Sequence, residues 1–134
     1  MLTKIEHIGI AVKNIEEVIP VFETLLGAEC YKIEKVASEG VNTAFFQVGE
    51  SKIELLEATN EDSPIAKFLE KRGQGVHHLA FDVADLEKEI ERLTKVGFTL
   101  IHHSPKNGAD NKLIAFLHPK STEGVLIELC QEKI

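Results

Sequence analysis

The chain has no tryptophan, one tyrosine, one methionine and only two cysteines in 134 residues. Cys30 and Cys130 lack CxxC spacing, and no secretory leader is expected ahead of them, so both read as packing residues in a reducing, cytoplasmic setting. No apolar run is long enough to span a bilayer, which argues against a membrane protein. Basic residues are outnumbered, 15 Lys and Arg against 22 Asp and Glu, for a net charge of -7. No broad basic footprint can form, which argues against nucleic-acid binding but leaves room for a small anion held by a few local lysines. Low-complexity segments and long linkers are missing too. What is present, 43% hydrophobic residues in a chain of single-domain length, suffices for a core.

The chain repeats itself. "HIGIAVKNIE" (7–16) lies over "HLAFDVADLE" (78–87), with histidine, valine and glutamate coinciding. Further on, "LLG" ending at Gly27 matches "KVG" ending at Gly97, "AFF" (44–46) matches "AFL" (115–117), and "IELL" (53–56) matches "IELC" (127–130). The second copy carries an insertion in "HPKSTEG". Common order and near-constant spacing indicate a duplicated unit, and two copies are too few for a solenoid.

Each copy reads β-α-β-β-β, an α+β pattern. "KIEHIGIAV" alternates as a strand. "NIEEVIPVFETLLG" has helical spacing at Ile15, Val18, Ile19, Phe22, Leu25 and Leu26, with Asn14 placed to cap it, Gly27 to end it and Pro20 to distort it. "AECYKIEKV", "NTAFFQV" and "KIELLEA" are predicted strands, with "VGES" as a turn. "SPIAKFLEKRG" is a connecting helix. In the second copy "GVHHLAFDV" is a strand and "DLEKEIERLTKVG" a helix capped by Asp85. "FTLIHH", "NKLIAFLH" and "VLIELCQ" are predicted strands. Module one spans about 1–60, the connection about 61–73 and module two about 74–134 of a single domain.

Neighbours on a strand point to opposite faces. Ile8, Ile10 and Val12 form the bulky face that packs under a helix, leaving His7 with small neighbours on the other. By the same parity His77 joins Leu79, Phe81 and Val83, and His78 is the counterpart of His7. The last strand of each copy places a carboxylate, Glu54 or Glu128, among apolar neighbours, a costly position without a partner. His7, Glu54, His78 and Glu128 therefore form a duplicated set whose imidazoles and carboxylates suit one octahedral divalent transition metal with open positions. Gln47 and His118 are counterparts at the ends of the third strands. With Lys112, Lys120 and Ser121 they are candidates for contacting an anionic substrate; "HPKS" also reads as a simple turn. His102 and His103 are expected at the surface.

Taken together, "KIEHIGIAV", "KIELLEA", "GVHHLAFDV" and "IAFLHPKSTEGVLIELC" resemble the vicinal-oxygen-chelate superfamily of glyoxalases, dioxygenases and bleomycin-resistance proteins, and within it the methylmalonyl-CoA epimerase family. The resemblance covers nearly the whole chain. It implies two modules forming one cupped mixed sheet, a homodimer, and one divalent metal on His7, Glu54, His78 and Glu128. Cobalt or manganese is the favoured ion, with nickel, zinc or magnesium as alternatives. It implies a metal-dependent isomerase that interconverts the C2 epimers of an acyl-CoA thioester through a stabilised enolate, with Glu128 and Glu54 as catalytic carboxylates. Two departures stand out. Position 54 can be glutamine in the family, and Thr43 stands where some members carry a glutamate in an acid–base role. Threonine cannot take an α-proton at neutral pH. A glyoxalase-type lactoylglutathione lyase would use the same four ligands. A dioxygenase on iron would need two histidines and one carboxylate, and a non-catalytic binding module would have no use for the full set.

Overall fold

The computed structural model describes residues 1–133. It has two compact units, an early one of His7–His77 and a late one made of Met1–Glu6 together with the chain from His78 onward. The boundary falls inside the first strand, β1 (Leu2–Ala11).

The early unit continues with α1 (Ile15–Leu26), β2 (Lys32–Val36), a 3-10 turn at Ala37–Glu39, β3 (Val41–Val48), β4 (Ser51–Ala58) and α2 (Pro64–Arg72). Its strands lie in the order β2-β3-β4-β1; β1 runs parallel to β4 and the other pairs are antiparallel. The Asn14 side chain accepts from the N–H groups of Glu16 and Glu17, and Gly27 closes α1 in the left-handed conformation at φ 64°. The helix runs unbroken through Pro20. Its apolar stripe packs on Ile10, Val12, Ala44, Phe46, Ile53 and Leu55, one face of the sheet. Leu25, expected on that stripe, is exposed. Tyr31 lies outside β2, although its N–H still reaches the Phe45 carbonyl at 3.0 Å.

The late unit contains most of β5 (Gly75–Val83), then α3 (Leu86–Lys95), β6 (Lys106–Asn107), β7 (Lys112–Leu117), a 3-10 turn at Pro119–Thr122 and β8 (Ile127–Glu132). Its strand order is β5-β8-β7-β6, with β5 parallel to β8. Asp85 caps α3 through the Lys88 N–H, and the helix packs its Leu86 and Leu93 on Val83, Ala115, Leu117 and Leu129. The segments docked from the start of the chain are tied down individually. The Thr3 hydroxyl donates to the Asp82 carboxylate at 2.8 Å, and the Met1 ammonium meets the buried Glu89 carboxylate at 2.5 Å.

The predicted strand "FTLIHH" is corrected by the structure. Only Leu100 bridges to β7, facing Leu117, and regular pairing resumes at Lys106, which faces Ile114. The chain thus advances six residues on one side against three on the other, so that after the Ile101 N–H, which still reaches the Phe116 carbonyl at 2.9 Å, the chain bulges before Lys106. Pro105 lies in this bulge and has no N–H to give the ladder. Phe98 and Leu100 nonetheless pack on the core, which accounts for the apolar alternation. Neither cysteine is in a disulfide, and no helix among the described residues is long and apolar enough to cross a membrane.

Candidate functional site

In the early unit the chemistry lies on the sheet face turned away from α1. Glu54 on β4 stands across from Gly9 on β1 and from Phe45 on β3. Gly9 has no side chain, so the imidazole of His7, two positions earlier on the same face, can lean over it. His7 Nδ1 lies 3.1 Å from Glu54 Oε2. The late unit repeats the construction. Glu128 on β8 stands across from the small Ala80 on β5 and from Phe116 on β7, and His78 Nε2 lies 3.0 Å from Glu128 Oε1.

All four side chains are buried, with residue exposures between 4% and 6%. A carboxylate this deep requires a cationic or hydrogen-bonding partner, and each has a histidine. The spacing fits metal chemistry as well. Two donors held about 2.1–2.2 Å from one cation at right angles stand about 3 Å apart. Nitrogen and carboxylate oxygen also suit a borderline divalent ion. Each pair can therefore supply two adjacent ligands.

The surroundings are aromatic and basic. Phe45 is fully buried, with Lys32 Nζ 4.7 Å and Lys52 Nζ 5.8 Å from its ring centre. In the late unit Lys106 Nζ is 6.0 Å from the Phe116 ring centre, and that ring meets His78 edge-on at 5.7 Å. In both units, then, a phenylalanine borders the glutamate and a lysine stands over the phenylalanine. Sequence reasoning assigned these residues no role. The available signal was the match of "AFF" with "AFL", which makes Phe45 and Phe116 counterparts. Thr43, two residues from Phe45 on β3, shares the face with Glu54 and is 1% exposed.

His77 and His78 part as strand parity requires. His77 meets Phe68 of α2 edge-on at 5.0 Å, while His78 faces Glu128. The remaining candidates have local partners. Gln47 Nε2 donates to the Gly49 and Ser51 carbonyls and closes the β3–β4 hairpin. His118 Nδ1 accepts from the Lys120 N–H and caps the 3-10 turn, and Ser121 Oγ accepts from the Thr99 N–H at 2.9 Å. Lys120 is exposed. Lys112 Nζ is 4.0 Å from Glu6, a buried carboxylate that the sequence pattern did not single out. His102 and His103 are exposed, as expected.

A family model described as the glyoxalase/bleomycin resistance protein/dioxygenase superfamily matches residues 6–116. The chain is 43% identical to an uncharacterized protein, YqjC, of Bacillus subtilis, over 98% of this chain and 94% of that one. It is 38% identical to an ethylmalonyl-CoA/methylmalonyl-CoA epimerase of Cereibacter sphaeroides, over 98% and 99% respectively. Among solved structures, the methylmalonyl-CoA epimerase of Streptomyces coelicolor in complex with 2-nitronate-propionyl-CoA superposes with a TM-score of 0.94 at 36% identity, covering 98% of this chain and 96% of that one. With an α+β order of paired β-α-β-β-β units and likeness at this level over nearly its full length, the chain belongs to the glyoxalase/bleomycin-resistance/dioxygenase superfamily and, within it, to the methylmalonyl-CoA epimerase family.

Proposed function

We propose that the chain is a metal-dependent epimerase that interconverts the two C2 epimers of methylmalonyl-CoA. The observation that carries this reading is the buried histidine–glutamate pair built the same way in each unit, in a chain with epimerase relatives. His7, Glu54, His78 and Glu128 are the residues that would hold one divalent ion. The favoured ion is cobalt or manganese, with nickel, zinc or magnesium as alternatives. When bound, such an ion would supply Lewis acidity that stabilises negative charge developing on the substrate's acyl group.

The protein's own part is to bind, orient and move one proton. Glu128 takes the proton from C2, and Glu54 or an ordered water returns one on the opposite face. No redox change and no covalent intermediate is needed. Lys32, Lys52 and Lys106 place positive charge on the faces that carry the two pairs, which suits an anionic acyl-CoA despite the acidic chain. Two cysteines outside any disulfide fit a cytoplasmic setting, and a homodimer is the assembly that the family resemblance carries.

The test is proton NMR of methylmalonyl-CoA in D₂O with metal-stripped and metal-restored protein. Loss of the C2 proton signal should be fast with restored protein and slow with stripped protein. Restored protein that leaves the C2 proton unexchanged overturns the proposal.

A further inference from the structure

Among the described residues, one buried hydroxyl has no hydrogen-bond partner. Thr43 is 1% exposed, and its Oγ1 is buried without a hydrogen-bond partner. The reason lies in the strand register. Across the sheet Thr43 stands between Leu56, which has no polar group to offer, and Glu34. Glu34 turns its carboxylate to Lys32, at 3.4 Å. Along the strand its same-face neighbours are Val41 and Phe45, both buried and apolar. A buried hydroxyl without a partner is destabilising. Valine has the same shape, favours strands and carries no such penalty. Threonine here offers a hydroxyl that no protein group takes up, and a polar group of a bound molecule can.

The position indicates what arrives. Thr43 and Phe45 are two residues apart on one face of β3, about 7 Å along the strand. Phe45 stands directly across from Glu54, whose carboxylate meets His7. A molecule lying over the His7–Glu54 pair therefore extends within reach of Thr43. A threonine hydroxyl is not a base at neutral pH, so its useful role is to donate. Resting on the functional reading above, we propose that Thr43 contacts the substrate directly, its Oγ1–H donating a hydrogen bond to an oxygen of the acyl group, either the carboxylate or the thioester carbonyl. The residue then serves to orient the acyl group rather than to move its proton.

Thr43→Val and Thr43→Ser separate this role from a structural one. Ligand-free Thr43→Val should melt no lower than the parent protein, because it loses only an unpaired hydroxyl. With methylmalonyl-CoA added it should show a smaller rise in melting temperature than the parent. Its kcat/KM for C2 exchange should fall about tenfold or more, the scale of a lost hydrogen bond to a charged oxygen, while Thr43→Ser keeps most of it. A ligand-free Thr43→Val that melts well below Thr43→Ser would show that the hydroxyl has a structural partner, and so overturn the proposal. So would a Thr43→Val with parental kcat/KM and parental ligand-induced stabilisation. A parent protein that exchanges no C2 proton overturns the epimerase reading and the role of Thr43 with it; failure confined to the variant comparison overturns Thr43 alone.

Discussion

Glu57 on β4 reaches the start of α1, its Oε2 accepting the backbone N–H of Ile15 at 2.9 Å. The late unit has the same brace, Gln131 Oε1 accepting the N–H of Leu86 at 2.6 Å. Each brace sits three residues beyond a buried glutamate, so the strand that carries the candidate ligand also anchors the helix behind it. Glu57→Ala should cost about 1 kcal/mol in urea unfolding, the usual scale of a lost helix cap, and Glu57→Gln much less, since glutamine does this work in the other unit. Equal losses in the two variants would show that charge at the helix end, rather than the hydrogen bond, is what matters.

Metal content should follow the faces of the strands. His7→Ala and His78→Ala should each sharply lower the divalent metal that copurifies or is taken up, measured by elemental analysis on folded protein. His77→Ala should leave it near the parental value, because His77 packs on Phe68 instead. Comparable loss in His77→Ala would overturn the assignment of the metal to the strand face that carries His78.

Glu128→Gln keeps the side chain's size and an oxygen donor but removes its basicity. Solvent exchange at C2 of methylmalonyl-CoA should fall by about 10²–10⁴-fold, the range for a lost general base, while some metal remains bound. Glu54→Gln should be milder, as the family resemblance allows glutamine there. A Glu128→Gln variant that exchanges at the parental rate would move the base elsewhere, to Lys112 or His118 first.

Acid should loosen the late unit through Glu89. The Met1 ammonium hydrogen bond is the leading cause that holds this carboxyl below its ordinary value of 4.5; burial opposes it, and the contact with Arg92 assists. Because the folded pKa lies below the unfolded one, the stabilisation is complete above about pH 4.5 and is lost as pH falls through the lowered folded value. Glu89→Gln should therefore be less stable than the parent at neutral pH, and the gap should close toward acid. A gap that stays constant from pH 7 to about pH 3 would show that packing, not charge, accounts for the loss.

Much of this was legible in the residues. β5 matches "GVHHLAFDV" residue for residue, and the caps at Asn14 and Asp85 stand where the side chains announced them. Period-two alternation put His77 and His78 on opposite faces because a strand allows nothing else. The pairs His7–Glu54 and His78–Glu128 were foreshadowed by duplication, since a buried carboxylate that recurs in register needs a recurring partner. Other features were hidden for physical reasons. "FTLIHH" alternates like a strand because Phe98 and Leu100 do enter the core, but its pairing depends on β7 and on Pro105, which no local pattern conveys. Lys32 lies over Phe45 because β2 pairs with β3 at that register, a long-range fact. The unpaired hydroxyl of Thr43 emerges only once Leu56 and Glu34 are known to flank it.

The unit boundary inside β1 sets an order of events during synthesis. His7–His77, the early compact unit, is made before the chain of the late unit emerges. Thr3 and Glu6 must wait for partners at Asp82 and Lys112, much further down the chain. At about 5–20 residues added per second, that keeps the leading segment from its Asp82 and Lys112 contacts for several seconds on the ribosome. Its exposed Leu2 and Ile5 are the apolar groups that a chaperone, or a neighbouring nascent chain, would meet first.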